Sequence, residues 1–150
     1  MKPLKLFRQE IFSPKNKTVK QLTGHAGEVA VAKRYKADGY TVLARNLHVA
    51  KNELDLVVRN KTHIVFVEVK TRHAAADAPS RYGRPADAVN RDKRARTIAA
   101  AKAYLSVHAK DFDPPLQPRI DIAEVYMTRR DNGKDEITDI KIFQNAFGAR

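Results

Sequence analysis

Two short runs, ELDLVV at 53–58 and IVFVEVK at 64–70, constrain this chain more than any other part of it. Each is rich in Val, Ile, Leu or Phe, has the length of a strand and is flanked by polar residues. Successive strand side chains point to opposite faces, so Glu68 and Lys70 share a face with Ile64 and Phe66. A carboxylate and an ammonium are thereby set into an apolar strand, where isolated charge is expensive to bury. Three arrangements reduce that expense: an exposed ladder of opposite charges, a metal site, or a reacting centre.

The spacing between the runs adds a second constraint. Asp55 and Glu68 lie 13 positions apart, an odd separation. In an unbulged antiparallel hairpin they share a face only if the loop has an even number of residues. A two-residue loop at Lys61-Thr62 sets Asp55 directly opposite Glu68, with Cβ atoms about 4.5–5.5 Å apart. A loop at Asn60-Lys61 sets them on a diagonal. Carboxylates that close repel unless a proton or cation lies between them. Two carboxylates with a neighbouring Lys describe a divalent-metal site suited to phosphoryl chemistry.

Charge points to the same class of partner. The chain has 150 residues, a net charge of +12 and a pI near 10.1. Such a balance favours a polyanion, bound through phosphate contacts and counterion release. Residues 1–20 carry Lys2, Lys5, Arg8, Lys15, Lys17 and Lys20 against Glu10. Residues 72–96 carry Arg72, Arg81, Arg84, Arg91, Lys93, Arg94 and Arg96 against Asp77, Asp87 and Asp92. The second cluster directly follows the Glu68/Lys70 strand, which is where a nucleic-acid-cutting site needs its basic surface. The chain has no Cys, which excludes a disulfide framework and a thiolate zinc site. Its five His show no H-x-x-x-H or H-x-H spacing for a histidine site. No apolar run is long enough to span a bilayer. The basic N-terminus lacks the apolar core of a secretory signal, so a cytoplasmic location is expected.

Residues 1–20 lack periodicity and read as a basic flexible arm; residues 21–150 read as one domain. A first helix is expected over 23–38, stopped by Gly39. Glu28, Val31, Ala32 and Tyr35 fall on one of its faces. Glu28 heads that apolar stripe either as an acid favoured by the helix dipole or because it points to the network of Asp55 and Glu68. Strands are expected at 40–47, 53–59 and 63–71, then a long loop over 72–84. A second helix over 85–108 opens on Pro85, with Ala95, Ile98, Ala101 and Leu105 as its core stripe. Pro114, Pro115 and Pro118 force an extended linker. Strands at 119–128 and 137–143 flank the hairpin signal Asn132-Gly133. Arg119 and Asp121 share a strand face and can pair with each other. The order α-β-β-β-α-β-β implies an α/β (α+β) domain with a mixed sheet flanked by helices.

An ordered set of residues across 24–147 resembles the YraN-type family of small bacterial proteins. The set comprises Gly24-x-x-Gly27-Glu28, Gly39-Tyr40, Arg45-Asn46 and Glu53-Leu54-Asp55-Leu56. It continues through Phe66-Val67-Glu68-Val69-Lys70-Thr71-Arg72, Tyr82-Gly83, Pro85, Ala88-Val89 and Lys93. It ends on Arg119-x-Asp121 and Asn145-Ala146-Phe147. That family is described as Holliday-junction-resolvase-like, within the PD-(D/E)xK nuclease superfamily. Leu54 stands at the Pro of the superfamily's name, and Asn52 where the family generally shows Gly.

The resemblance implies a restriction-endonuclease-like fold and a metal-dependent endonuclease acting on DNA, with branched, Holliday-junction-like substrates. It implies Mg²⁺ or Mn²⁺ held by Asp55, Glu68 and the Val69 carbonyl, with Glu28 helping through a bound water. Lys70 would position the attacking water or offset phosphoryl charge. Arg72, Arg81, Arg84, Lys93, Arg94 and Arg96 become the expected phosphate binders. Glu53 shares the face of Asp55 and reads as a solvent-facing strand residue. Resolvases that cut two strands symmetrically commonly act as twofold dimers, so a homodimer is a further expectation. The competing class is a basic nucleic-acid-binding protein that keeps the nuclease fold without cutting.

Overall fold

The computed structural model describes residues 19–73 and 91–146, with side chains from 24 and from 92 onward. The expectations placed on residues 1–18 and 74–90 lie outside the described residues. The elements are α1 (Val19–Ala37), β1 (Thr41–Val49), β2 (Asn52–Arg59), β3 (His63–His73), α2 (Arg91–His108), a 3-10 turn (Ala109–Asp111), β4 (Gln117–Arg129) and β5 (Asp135–Phe143). Their order is the expected α-β-β-β-α-β-β. Boundaries move at several elements: Val19 and Lys20 belong to α1 rather than to the arm, Arg72 and His73 belong to β3 rather than to the loop, and β1, β4 and β5 each shift or lengthen by one or two residues at an end.

The strands form one mixed sheet in the order β1-β2-β3-β4-β5. All neighbours are antiparallel except β3 and β4, which run parallel. A parallel pair needs a crossover connection, and the segment containing α2 supplies it. The helices lie on opposite faces of the sheet. On one face Val31, Ala32 and Tyr35 of α1 pack with Leu56, Val58, Val65, Val67, Ala123, Val125 and Met127. On the other, Ala100, Ala101 and Tyr104 of α2 pack with Val57, Ile64, Phe66, Ile120 and Ile122. The five-stranded mixed sheet between two helices is consistent with a restriction-endonuclease-like α+β fold. Among the described residues no helix is long and apolar enough to cross a membrane.

Local chemistry explains where α1 ends. Gly39 sits at φ +92°, a conformation that a side chain disfavours. The Tyr40 N–H donates to the Tyr35 carbonyl at 2.9 Å and the Gly39 N–H to that of Lys36 at 3.1 Å, which is the Schellman pattern. The Tyr35 and Tyr40 rings meet edge to face, 5.2 Å between centroids, supplying the apolar contact that accompanies this cap. Midway along the helix, Gly27 is buried against β3 and β4. A Cβ there would lie 2.6 Å from Thr71 Oγ1, so the close approach of α1 to the sheet depends on its absence.

Two sequence expectations need correction. The buried stripe of α2 is Thr97, Ala100, Ala101 and Tyr104; Ala95 is exposed, and Ile98 and Leu105 are only half-buried. Both stripes have helical spacing. The polar Thr97 can face inward because its hydroxyl donates to the Lys93 carbonyl at 3.0 Å. Pro118 lies inside β4, not in a linker before it. It is tolerated because β5 pairs with β4 only from Ile122 onward, so no ladder bond on that side is lost at Pro118.

Candidate active site

The hairpin of β2 and β3 adopts the Lys61-Thr62 loop. Its register runs from Arg59↔Ile64 to Leu56↔Val67. The Asn60 N–H donates to the His63 carbonyl at 3.0 Å, and the Asn60 side-chain oxygen accepts from the N–H groups of Thr62 and His63. Continued by one residue, this register faces Asp55 with Glu68, but the ladder stops at Leu56. From there β2 stays paired with β1 as far as Asn52 and parts from β3. In the gap, the Val69 N–H donates to Asp55 Oδ2 at 2.9 Å. The N–H and C=O of one strand residue point toward the same neighbour. The Val69 carbonyl therefore faces the same gap.

That gap forms part of an open cleft of about 270 Å³. Lys51, Asn52, Glu53, Asp55, Glu68, Lys93, Arg96 and Thr97 line it. One wall is the turn from β1 into β2, where Ala50 takes the left-handed value φ 55°. The opposite wall is the first half of α2. The Lys93 Nζ forms an ion pair with Glu68 Oε1, crossing from the helix to the strand. The Glu68 side chain is 5% exposed and that of Lys93 36%, so the carboxylate is fixed and the lysine reaches in from the mouth.

Burial first, then the neighbouring Glu68 and Glu28 charges, raise the Asp55 pKa to about 8 against the opposing Val69 N–H and Lys93. Burial also lowers the pKa of Lys70, as does the adjacent Lys93 ammonium, while Glu68 opposes both. Burial works against the charge of Lys93 as well. Its hydrogen bond and attraction to Glu68, together with the Asp55 charge, outweigh that and raise its pKa. The Lys70 and Lys93 amines are within hydrogen-bonding reach of each other. A linked set of two carboxylates and two amines therefore occupies this end of the sheet.

Among the residues expected from sequence, Asp55, Glu68, Lys93 and Arg96 come together at the cleft, and Lys70 joins them through Lys93. Glu28 is close enough for its charge to act on Asp55 but does not line the cleft. Among the described residues, no group of three or more Asp, Glu, His or Cys side chains is placed to hold one ion. Arg72 instead pairs with the buried Glu124, Nε to Oε1 at 2.8 Å, and the Tyr126 hydroxyl donates to the same oxygen at 2.5 Å. Arg94 is half-buried and is not among the lining residues. Arg81 and Arg84 lie outside the described residues.

Sequence reasoning missed Lys51 and Thr97; Glu53, read as a solvent-facing strand residue, is exposed and stands at the rim of the cleft. Lys51 lies in the turn before β2, beyond the reach of strand alternation. Thr97 is one helical turn after Lys93, the spacing that stacks side chains on a helix.

The donor set is all oxygen: two carboxylates and a main-chain carbonyl. Hard divalent cations prefer such ligands, and Mg²⁺ commonly takes only one or two carboxylates while keeping several waters. A fully dehydrated cage has too few donors here, whereas a hydrated Mg²⁺ or Mn²⁺ matches them. Burial, and after it the Glu68 charge, hold the Asp55 carboxyl near pKa 8, and a cation in the cleft would oppose both.

Residues 27–125 match the uncharacterised protein family UPF0102, a span that contains every cleft residue. A UPF0102 protein of Symbiobacterium thermophilum is 37% identical over 126 residues, 84% of this chain and 96% of its own length. The chain belongs to the UPF0102 family. Another member, from Acetivibrio thermocellus, is 35% identical over 134 residues, covering 88% of this chain and 95% of its own. A third, from a Parafrankia species, is 38% identical over 112 residues, covering 75% and 88%. The family assignment agrees with the YraN-type resemblance read from the motifs.

Proposed function

We propose that this protein is a metal-dependent endonuclease that hydrolyses phosphodiester bonds of DNA, branched forms included. The observation that carries the reading is the parting of β2 from β3 beside the Asp55 and Glu68 carboxylates. It opens an oxygen-lined cleft with Lys70, Lys93 and Arg96 at its edge. Asp55, Glu68 and the Val69 carbonyl would hold a divalent ion there, which would supply water acidification and Lewis acidity toward the phosphate.

The chain's own residues do the remaining work. The Val69 N–H fixes the Asp55 carboxylate in place. Lys70, with its proton affinity lowered by burial, sits beside the carboxylates where it can orient the attacking water or offset phosphoryl charge. Arg96 and Lys51 face each other across the cleft, one on α2 and one on the β1–β2 turn, and grip the flanking phosphates. Glu28 adds negative charge from α1 on the cation side of the site.

One observation favours the non-cleaving alternative. Lys93 already neutralises Glu68, which leaves a cleft that a binding protein could present to phosphates without a metal. The discriminating experiment incubates the full chain with labelled branched, single-stranded and duplex DNA and Mg²⁺ or Mn²⁺. Cleavage that is lost in Asp55→Ala and in Lys70→Ala supports the enzyme. Binding without cleavage, with a steep dependence on salt, supports the binding protein.

A further inference from the structure

We propose that the Lys93 ammonium is a place-holder for the divalent ion: it balances the carboxylate pair in the metal-free protein and transfers to a substrate phosphate when the ion enters. The inference rests on the metal reading of the cleft and adds a role that this reading does not require.

The geometry distinguishes a place-holder from an ordinary ion pair. Asp55 and Glu68 line one cleft where their strands part, close enough for each charge to act on the other, and two carboxylates so placed need a positive charge nearby. Lys93 supplies it on Glu68 Oε1, an oxygen that would also serve the ion. A divalent cation on that oxygen would stand within a few ångströms of the ammonium, and like charges so close in a half-buried site repel strongly. The two occupants therefore compete.

The competition is one-sided in structure. Glu68 lies on the central strand β3 and is buried, so it stays. Lys93 reaches in from the first turn of α2 on a flexible four-carbon stem that is 36% exposed. Its main chain is held, since the Lys93 carbonyl accepts the Thr97 hydroxyl. Only the side chain has to move. A lysine pushed off Glu68 stays at the cleft, next to Lys70 and on the same helix face as Arg96 and Thr97. Three positive side chains then border the path of the phosphate that the ion would hold. Lys93 would thus touch substrate during the reaction although it touches a carboxylate before it.

The test is a Mn²⁺ titration of the full chain without DNA, read by isothermal calorimetry and by thermal shift. Lys93→Met, which keeps the stem and removes the charge, should bind Mn²⁺ about five- to tenfold more tightly than the wild type. Lys93→Arg, which keeps the charge, should bind no more tightly than the wild type. Where the apolar variant does not fold, Lys93→Gln carries the same expected tightening. At saturating Mn²⁺ the Met or Gln variant should cleave DNA more slowly than the wild type, opposite in direction to its metal affinity. Unchanged or weaker Mn²⁺ binding in both uncharged variants overturns the place-holder. Undiminished cleavage at saturation overturns the transfer to phosphate. Wild-type and variant chains that all fail to bind Mn²⁺ overturn the metal reading itself, and this inference with it.

Discussion

Two acidic sites lie on opposite faces of the same sheet, and they handle buried negative charge in opposite ways. Asp121, on the face covered by α1, is 0% exposed. Arg119 grips it with two bonds, Nε to Oδ1 at 2.9 Å and Nη2 to Oδ2 at 3.0 Å. The Tyr35 hydroxyl adds a bond at 2.7 Å and the Asn145 N–H one at 3.0 Å. Arg119 in turn donates to the Tyr40 hydroxyl at 2.9 Å, which ties the network to the cap of α1. On the α2 face, Asp55 and Glu68 crowd together with one amide and one half-exposed lysine between them. The first site has enough fixed donors for its charge. The second gives Asp55 one fixed donor, the Val69 amide, and keeps the counter-ion of Glu68 on a movable arm. A satisfied network holds elements together, whereas an undersupplied one is a place for a ligand.

The largest expected effect breaks the satisfied side. Asp121→Ala strands the Arg119 guanidinium and removes the partner of Tyr35, and should cost about 3–5 kcal/mol in urea unfolding. Its Mn²⁺ affinity should stay unchanged, if it is measured below the unfolding range. A cost under about 1 kcal/mol would put Asp121 in the same class as an exposed pair. Second, Asp55→Ala should abolish any rise in Tm on adding Mn²⁺. It should also reduce cleavage by at least about 100-fold. Because a repelling charge is removed, the metal-free variant should be no less stable than the wild type. Third, Gly27→Ala pushes α1 away from Thr71 and should lose about 1–3 kcal/mol, read by urea unfolding.

The pH dependence of stability probes the Asp55 site. The Asp55 carboxyl holds its proton more tightly in the fold, about 8 against an ordinary 3.8. Between those values the folded chain binds more protons than the unfolded one. This group therefore makes metal-free stability fall as pH rises from about 4 to 8. Asp55→Asn should flatten that fall in a series of Tm measurements, and saturating Mn²⁺ should oppose it. A profile unchanged by Asp55→Asn would show that Glu68 and Lys93 do not constrain Asp55. The smallest effect is expected at the hairpin tip. Arg130 and Glu136 pair there with about half of each side chain open to solvent, so Glu136→Gln should leave Tm nearly unchanged.

Much of this arrangement was legible from alternation and parity. The order of elements followed from strand and helix periods and from Gly39 and Asn132-Gly133. The odd spacing of Asp55 and Glu68 reduced the hairpin to two loops, and the structure adopts the one at Lys61-Thr62. Arg119 and Asp121 were correctly seen as a possible pair, but the contributions of Tyr35, Tyr40 and Asn145 were not. Those partners come from distant parts of the chain, and no local pattern links them. The stripe of α2 was misread because Ile98 and Leu105 look more suited to a core than Thr97. The hydroxyl bond that lets Thr97 turn inward is invisible in a hydropathy pattern. Arg72 was grouped with the phosphate binders on charge alone. Its pairing with Glu124 arises because β3 and β4 run parallel, and the sequence carries no signal for that register. The parting of β2 from β3, which makes the cleft, is likewise a tertiary effect: β2 follows β1 and leaves two acids facing each other.

Val69 belongs to two parts of the molecule at once. Its side chain packs with the α1 layer, while its amide and carbonyl serve the gap on the far side of the strand. Any residue except proline can provide that amide and carbonyl. The position is thus free to drift with the hydrophobic layer beneath it, and the chemistry above need not register the change. Interior repacking and the site's main-chain contacts are thereby decoupled at a single residue.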